Sequence, residues 1–167
     1  MIWPLLAIFF FSCNPQKRLA KKKHEYMESM HTAMKDVINE AEVTILNDSV
    51  KVLFPEHLLF KTGEATIPEA SIPLMERFAT LLQKYDRTNV LINGYTDITG
   101  GYDLNKKLSQ RRADTARVIL ESFEVAKRRN YTWGFGIKNP IGDNNTEEGR
   151  RKNRRVEFIM LYSYLHD

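Results

Sequence analysis

Two charged residues of opposite sign, Asp97 and Arg112, stand where a folded chain can bring them together. Asp97 follows the apolar run 90–92, which predicts a short buried strand, and Arg112 lies about two turns into a predicted helix that begins near Leu104. A carboxylate and a planar guanidinium together complement a ligand that carries one ammonium and one carboxylate. The same two residues can instead serve the fold, with Asp97 capping the helix or forming an internal ion pair with Arg112. Taken alone, the two residues leave both interpretations open.

A catalytic acid and base can also be imagined among Asp97, Asp103 and His57. The sequence, however, has one cysteine, no His-x-x-x-His pair, no Gly-x-Ser-x-Gly elbow and no glycine-rich phosphate loop. It therefore lacks the usual parts of metal, nucleophilic and nucleotide chemistry. We expect no catalytic residue, no metal site and no cofactor.

Length and composition indicate one globular domain of ordinary size with a short additional segment. The chain has 167 residues, of which 43% are hydrophobic and 28% are charged, and its net charge is +4. A mild positive charge is compatible with nucleic acid, an anionic membrane or an acidic polymer as a partner. The basic runs 127–129 and 150–152, with Tyr131 and Trp133 nearby, are the features that would favour nucleic acid.

The N-terminus combines an apolar run with the single cysteine of the chain. Residues 2–11 are apolar, which is about half the length of a membrane-spanning helix and fits the central region of a secretory signal. Cys13 comes directly after Ser12, and this ending resembles the lipobox of bacterial lipoproteins. The resemblance implies a signal peptide over residues 1–12 and acyl chains such as palmitate on Cys13, which hold the protein at a bilayer. The alternative is an incidental cysteine in a plain signal peptide.

Residues 13–42 are polar and predict a lipidated tether ahead of the globular domain. Basic residues near its start can rest on anionic headgroups, although a solvated helix face is the commoner reason for such a cluster. Its second half places an apolar residue at every third or fourth position, which predicts one apolar stripe on a helix. The stripe consists of Met27, Met30, Met34, Val37 and Ala41. It needs a partner, which is either the domain itself or a second copy of the helix.

Residues 43–167 alternate strand-like and helix-like segments and predict one α+β domain. Turn-forming residues at 47–49 separate two β-rich runs and predict a hairpin. Two helical patterns and three further strand-like runs follow. In order, the predicted segments are strands at 43–46 and 50–53, a helix after Pro73, a strand at 90–92, a helix over 104–123, and strands at 131–135 and 156–162. This order predicts a βαβαββ sandwich with helices packed on one face of a mixed sheet.

Residues 94–113 carry the pattern G-x-T-D-x-x-G-x4-N-x2-L-S-x2-R-A. This pattern resembles the signature of the OmpA-like peptidoglycan-binding domain, in a lipoprotein similar to the peptidoglycan-associated lipoproteins. Residues 59–65, 139–150 and 153–157 resemble further segments of the same domain in the same order. The likeness therefore covers most of the chain.

The resemblance implies a ligand site for the stem peptide of the cell wall. In the family, the residues matching Asp97 and Arg112 bind the free ammonium and carboxylate of diaminopimelate. Other residues implied at the site are Thr96, Asn105 and Leu108 in the pocket, and Phe60 and Arg154 near its rim. The chain departs from many family members at Tyr95, where they have His, and at Ile137, where they have Glu.

The function that the resemblance implies is non-enzymatic. It is the binding of peptidoglycan by an envelope protein that is lipid-anchored in the outer membrane, with its domain in the periplasm, so that membrane and wall are tethered. The expected partners are peptidoglycan, the membrane, and either envelope proteins or a second copy paired through the tether helix. Nucleic acid is not expected, because an exported lipoprotein would rarely meet it. The alternative is a scaffold domain of the same fold that has lost wall binding and acts through protein partners.

Overall fold

The structure, a computed structural model, describes residues 15–163. The predicted signal peptide and Cys13 lie outside the described residues. The elements, in chain order, are α1 (Pro15–Val37), β1 (Glu42–Leu46), β2 (Ser49–Pro55), α2 (Glu56–Leu59), α3 (Ile72–Lys84), β3 (Thr88–Tyr95), α4 (Tyr102–Ser122), β4 (Asn130–Gly136), α5 (Glu147–Asn153) and β5 (Arg155–Tyr162). Among the helices of residues 15–163, none combines the length and the apolar character that crossing a membrane requires.

The strands form one mixed sheet in the order β1-β2-β5-β3-β4. β3 and β4 run parallel, and the other neighbours are antiparallel. β1 and β2 form the predicted hairpin, in which Asn47 adopts a positive φ of 53°. Strand residues that alternate along one face of β5, such as Phe158 and Met160, are fully buried beneath the helices. The predicted α+β fold, with helices on one face of a mixed sheet, is confirmed.

An aromatic cluster joins the sheet to α3. Phe54 of β2, Phe78 of α3 and Phe158 of β5 are fully buried, and their rings meet edge to face at centroid distances of 4.9 to 5.4 Å. Each such pair contributes about 0.5 to 1.5 kcal/mol beyond the burial of its area. One layer of the core is therefore built from three distant parts of the sequence.

Helix α1 packs on this same core. Met27, Met30 and Met34 have no exposed surface, so the domain itself is the partner of the predicted apolar stripe. The inclusion of Val37 in the stripe was wrong, because Val37 is 38% exposed and Ile38, just past the helix end, is fully buried instead. The division of the chain at residue 43 stays a prediction, and α1 contributes to the same hydrophobic core as the residues beyond that point.

Two glycines let α4 lie directly on β3 and β4. A Cβ at Gly94 would come within 2.1 Å of the carbonyl oxygen of Ser109, and one at Gly134 within 2.3 Å of the backbone nitrogen of Gln110. Contacts this short exclude any side chain, so the helix backbone rests on the strands. The first half of α4 is thereby held against the carboxyl end of β3.

Side chains of α4 also reach the edge strand β4, which has a neighbouring strand on one side only. The Gly134 N–H donates to Gln110 Oε1 at 2.7 Å, and Lys106 Nζ donates to the Gly134 carbonyl. The Gly136 N–H donates to Ser109 Oγ at 2.9 Å. Side chains of α4 therefore engage the backbone of β4 at Gly134 and Gly136, and at Gly134 both the N–H and the carbonyl are engaged.

Candidate ligand-binding site

The candidate site begins where β3 ends. The Thr96 N–H donates to the Gly136 carbonyl at 2.9 Å, which fixes the chain as it leaves the sheet. Asp97 Oδ1 accepts from the Thr99 N–H at 2.8 Å, and Asn105 Nδ2 donates to the Thr99 carbonyl at 2.9 Å. These two side-chain hydrogen bonds stabilise the turn after β3 and hold the Asp97 carboxylate in place. Helix α4 starts after the turn without a side-chain cap, so Asp97 does not cap it.

One pocket of about 510 Å³ opens beside this turn. Six of the seven predicted binding residues line it, namely Thr96, Asp97, Asn105, Leu108, Arg112 and Arg154. The seventh, Phe60, is 3% exposed and does not line the pocket. The centroid of the Phe60 ring lies 5.4 Å from the guanidinium carbon of Arg112, which is a cation–π contact. The structure therefore brings the predicted residues together, with Phe60 behind Arg112.

Arg112 is held by protein groups on two sides. Its side chain is 2% exposed, its Nε donates to the Glu64 carbonyl at 2.8 Å, and its Nη2 donates to the Glu56 carboxylate. Burial lowers the pKa of Arg112, and the Glu56 charge acts against that shift. The Arg112 guanidinium is therefore fixed before any ligand arrives.

Arg154 is the direct ion-pair partner of Asp97. Arg154 Nη1 donates to Asp97 Oδ2 at 2.5 Å, and Nη2 donates to Glu147 Oε1 at 2.9 Å. Arg154 Nε lies 2.9 Å from Glu56 Oε2, an ion pair without an aligned hydrogen bond. Burial acts to lower the pKa of Arg154, but its bonds to Glu147 and Asp97 outweigh burial, and the pKa is raised.

Glu56 is the residue that the sequence did not single out. It is 7% exposed and lies between Arg112 and Arg154, while its backbone N–H donates to the Arg154 carbonyl at 2.8 Å. The charges of the site therefore alternate from Arg112 through Glu56 and Arg154 to Asp97. The ion pair considered between Asp97 and Arg112 is replaced by two pairs with other partners. A glutamate after Pro55 gives no sequence signal that would distinguish it from a solvated one.

Helix α5, which was not predicted, brings Glu147 and Arg154 to the site. Thr146 Oγ1 accepts from the Gly149 N–H at 3.0 Å and so caps the helix. A capping threonine, two glutamates in the first turn and basic residues in the last are a helix signal. Seven residues are too few for an apolar period to show, so apolar spacing does not predict this helix.

The Thr96 hydroxyl is a polar group without a partner. Thr96 is 5% exposed and lines the pocket, and its Oγ1 has no hydrogen-bond partner. A buried polar group left unpaired costs about 1 to 3 kcal/mol. A donor placed in the pocket would remove that cost.

Tyr95, one of the two departures from the family pattern, lies outside the pocket. The centroid of its ring lies 5.2 Å from that of the Phe135 ring, and the two rings are stacked. The guanidinium carbon of Arg155 lies 3.7 Å from the centroid of the Tyr95 ring. Burial, followed by the charge of Glu157, raises the pKa of Tyr95 to about 12. Ile137, the other departure, does not line the pocket either. Both changes leave the lining of the pocket intact.

The residues that could indicate another function either lie outside the pocket or bind other parts of the fold. His57 and Asp103 are exposed and do not line the pocket that holds Asp97. In the basic run 127–129, Arg129 is 3% exposed and donates to the backbone carbonyls of Leu82, Tyr85 and Thr88. Within residues 15–163, no cluster of three or more His, Cys, Asp or Glu side chains could hold a metal ion.

Comparison with known proteins gives the family. The OmpA family matches residues 59–154, and the chain belongs to it. The probable lipoprotein YiaD of Escherichia coli K12 is 36% identical over 137 residues, which are 81% of this chain and 63% of that protein. The peptidoglycan-binding protein ArfA of Mycobacterium tuberculosis is 36% identical over 115 residues, 69% of this chain and 35% of that protein. The chain thus spans less than two thirds of the length of these relatives.

A solved structure supports the same assignment. The cell wall anchor of the T6SS from Pseudomonas aeruginosa matches with a TM-score of 0.71 and 28% sequence identity. The match covers 80% of this chain and 96% of that one. The sequence resemblance to the OmpA-like domain is confirmed.

Proposed function

We propose that this protein binds the diaminopimelate end of a peptidoglycan stem peptide without covalent chemistry. One observation carries the proposal. A single pocket of about 510 Å³ is lined by Asp97, Arg112 and Thr96, and the hydroxyl of Thr96 has no hydrogen-bond partner. A ligand end with one ammonium and one carboxylate matches this set, since the ammonium donates to Asp97 and Thr96 while the carboxylate accepts from Arg112.

The internal ion pairs leave capacity for this ligand. A carboxylate has about four acceptor positions, and Asp97 uses one on each oxygen, for Thr99 and Arg154. A guanidinium has five N–H groups, about two of which Arg112 commits to Glu64 and Glu56. The ligand can therefore bind Asp97 and Arg112 while their ion pairs with Arg154 and Glu56 stay in place. Arg154 holds the Asp97 carboxylate in place.

The relatives support the envelope setting of this proposal. One is named as a probable lipoprotein, a second as peptidoglycan-binding, and the similar structure as a cell wall anchor. Together with the lipobox-like ending at Cys13, they favour a protein that is lipid-anchored in the outer membrane with its domain in the periplasm. Such a protein would tether the outer membrane to the wall.

The direct test is co-sedimentation of the full chain, in detergent, with purified sacculi that contain diaminopimelate. Asp97→Asn keeps the size of the side chain and removes the charge that faces the ligand ammonium. Loss of such a charge contact costs about 2 to 5 kcal/mol, so binding should fall at least about thirtyfold. Asp103→Asn is the matched control, because Asp103 is exposed on the first turn of α4 and does not line the pocket.

Two results would count against the proposal. If Asp97→Asn and Asp103→Asn bound sacculi equally well, the pocket would not be the binding site. If the unaltered protein did not sediment with sacculi, the alternative of a scaffold that acts through protein partners would stand instead.

A further inference from the structure

Two further cavities adjoin the ligand pocket. A cavity of about 610 Å³ shares Glu56, Thr62 and Arg154 with the pocket. A cavity of about 640 Å³ shares Gly63 and Arg111 with it. Because the two sets of shared residues do not overlap, the flanking cavities meet the pocket at different parts of its rim, and we call the three together the groove.

Each flanking cavity is lined by an arginine that does not bind another residue among residues 15–163. Arg111 lines the central pocket and one flanking cavity, and Arg151 lines the other. Both are exposed, and neither side chain makes a hydrogen bond or ion pair within residues 15–163. In contrast, Arg150 and Lys152, the neighbours of Arg151, pair with Glu147 and Glu148 at 2.8 and 2.7 Å.

The chemistry of a stem peptide matches this arrangement. With the free end of diaminopimelate in the central pocket, the peptide continues from that residue in two directions. One direction leads to a γ-linked D-glutamate, which has a free α-carboxylate, and the other to D-alanine, which ends in a carboxylate when no residue follows. One negative charge therefore lies on each side of the diaminopimelate, and each of the two cavities that adjoin the pocket is lined by one of these two arginines.

We infer that Arg111 and Arg151 bind the two carboxylates that flank diaminopimelate, so that the groove takes the stem tetrapeptide and not diaminopimelate alone. This inference rests on the proposed function of the central pocket. Exposed charge pairs contribute about 0.2 to 1 kcal/mol each. At the middle of this range each arginine therefore adds about threefold in affinity, and the two together about tenfold.

The test measures calorimetric binding of three ligands to the full chain in detergent. The ligands are free diaminopimelate, the tetrapeptide L-Ala-γ-D-Glu-diaminopimelate-D-Ala, and the same tetrapeptide with both flanking carboxylates amidated. Arg151→Gln, which lies outside the central pocket, should weaken the tetrapeptide about threefold and leave free diaminopimelate unchanged, and adding Arg111→Gln should weaken the tetrapeptide about tenfold in all. The unaltered protein should bind the amidated peptide as weakly as the double variant binds the natural one. Arg128→Gln, which removes an exposed arginine outside the groove, is the control.

The outcomes separate this inference from the proposed function. If the double variant bound the tetrapeptide as tightly as the unaltered protein, or if amidation had no effect, the inference would be overturned while the central pocket stood. If free diaminopimelate and the tetrapeptide both failed to bind the unaltered protein, the proposed function itself would be wrong.

Discussion

Glu56 and Arg112 form an ion pair in which both side chains are almost completely buried, at 7% and 2% exposed. Removing one partner of a buried pair leaves the other charge desolvated and costs about 3 to 5 kcal/mol. Arg112 therefore supports the fold as well as the proposed ligand site. A loss of wall binding in an Arg112 variant has to be separated from a loss of stability.

Arg112→Ala should lower the free energy of unfolding by about 3 kcal/mol, as measured by urea denaturation. Arg112→Lys keeps a charge near Glu56 and should recover most of that stability. It should not recover tight ligand binding, because an ammonium cannot form the parallel pair of hydrogen bonds that a guanidinium offers a carboxylate. If Arg112→Ala were as stable as the unaltered protein, the burial of Glu56 would not require its ion pair with Arg112.

Met30→Ala tests whether α1 belongs to the folded core. Met30 has no exposed surface, and truncation of such a residue costs about 2 to 5 kcal/mol. Val37→Ala, seven residues further along and 38% exposed, should change the free energy of unfolding by less than about 0.5 kcal/mol. Urea denaturation of both variants gives the comparison. Equal, small effects would mean that α1 is a tether that does not contribute to the stability of the domain.

The stability of the protein should fall in strong base because of Tyr95. Burial and Glu157 raise the pKa of this phenol to about 12 in the folded protein, against an ordinary value near 10. A raised pKa means that the folded state holds its proton more firmly, so this stabilisation is complete below pH 10 and is lost between pH 10 and about 12. The loss is on the order of 2 kcal/mol.

Urea denaturation at pH 9 and pH 11 measures this dependence on Tyr95. Tyr95→Phe removes the titrating group and keeps the ring that stacks on Phe135. The variant should therefore lose less stability between the two pH values than the unaltered protein. Equal losses in both proteins would assign the base sensitivity to other groups.

Cys13→Ser should release the protein from membranes into the soluble periplasmic fraction. The reason is the apolar run 2–11, which is about half as long as a membrane-spanning helix, so that acyl chains on Cys13 would have to hold the protein. Fractionation at high salt is the measurement. A variant that stayed in the membrane fraction would indicate an uncleaved N-terminal helix.

The sequence predicted the elements that repeat a pattern over several turns or pleats. Helices α3 and α4 and strand β5 were found because their apolar residues recur at regular spacing over 8 residues or more. The one-residue error between Val37 and Ile38 arose at a helix end, where spacings of three and four both continue the stripe. The single-turn α2 and the seven-residue α5 offer no such period.

The site was predicted only in part, for a physical reason. Asp97 and Arg112 lie within one motif, 15 positions apart, and the motif marks them both. Glu56 and Arg154 join them through contacts that span 56 to 98 positions of sequence, which local spacing does not encode. The sequence alone does not distinguish a buried glutamate from a solvated one. The role of Glu56 is therefore evident only from the structure, which places its two arginine partners beside it.

The hydrogen bonds that join Gly134 to Gln110 and Lys106 affect how readily copies of the protein aggregate. At high concentration the exposed strand edges of neighbouring molecules can pair with one another. On β4 the peptide group that such a neighbour would need is already engaged by its own helix. Gln110→Ala combined with Lys106→Ala should leave that edge open, and the protein should then self-associate at concentrations where it had remained dispersed.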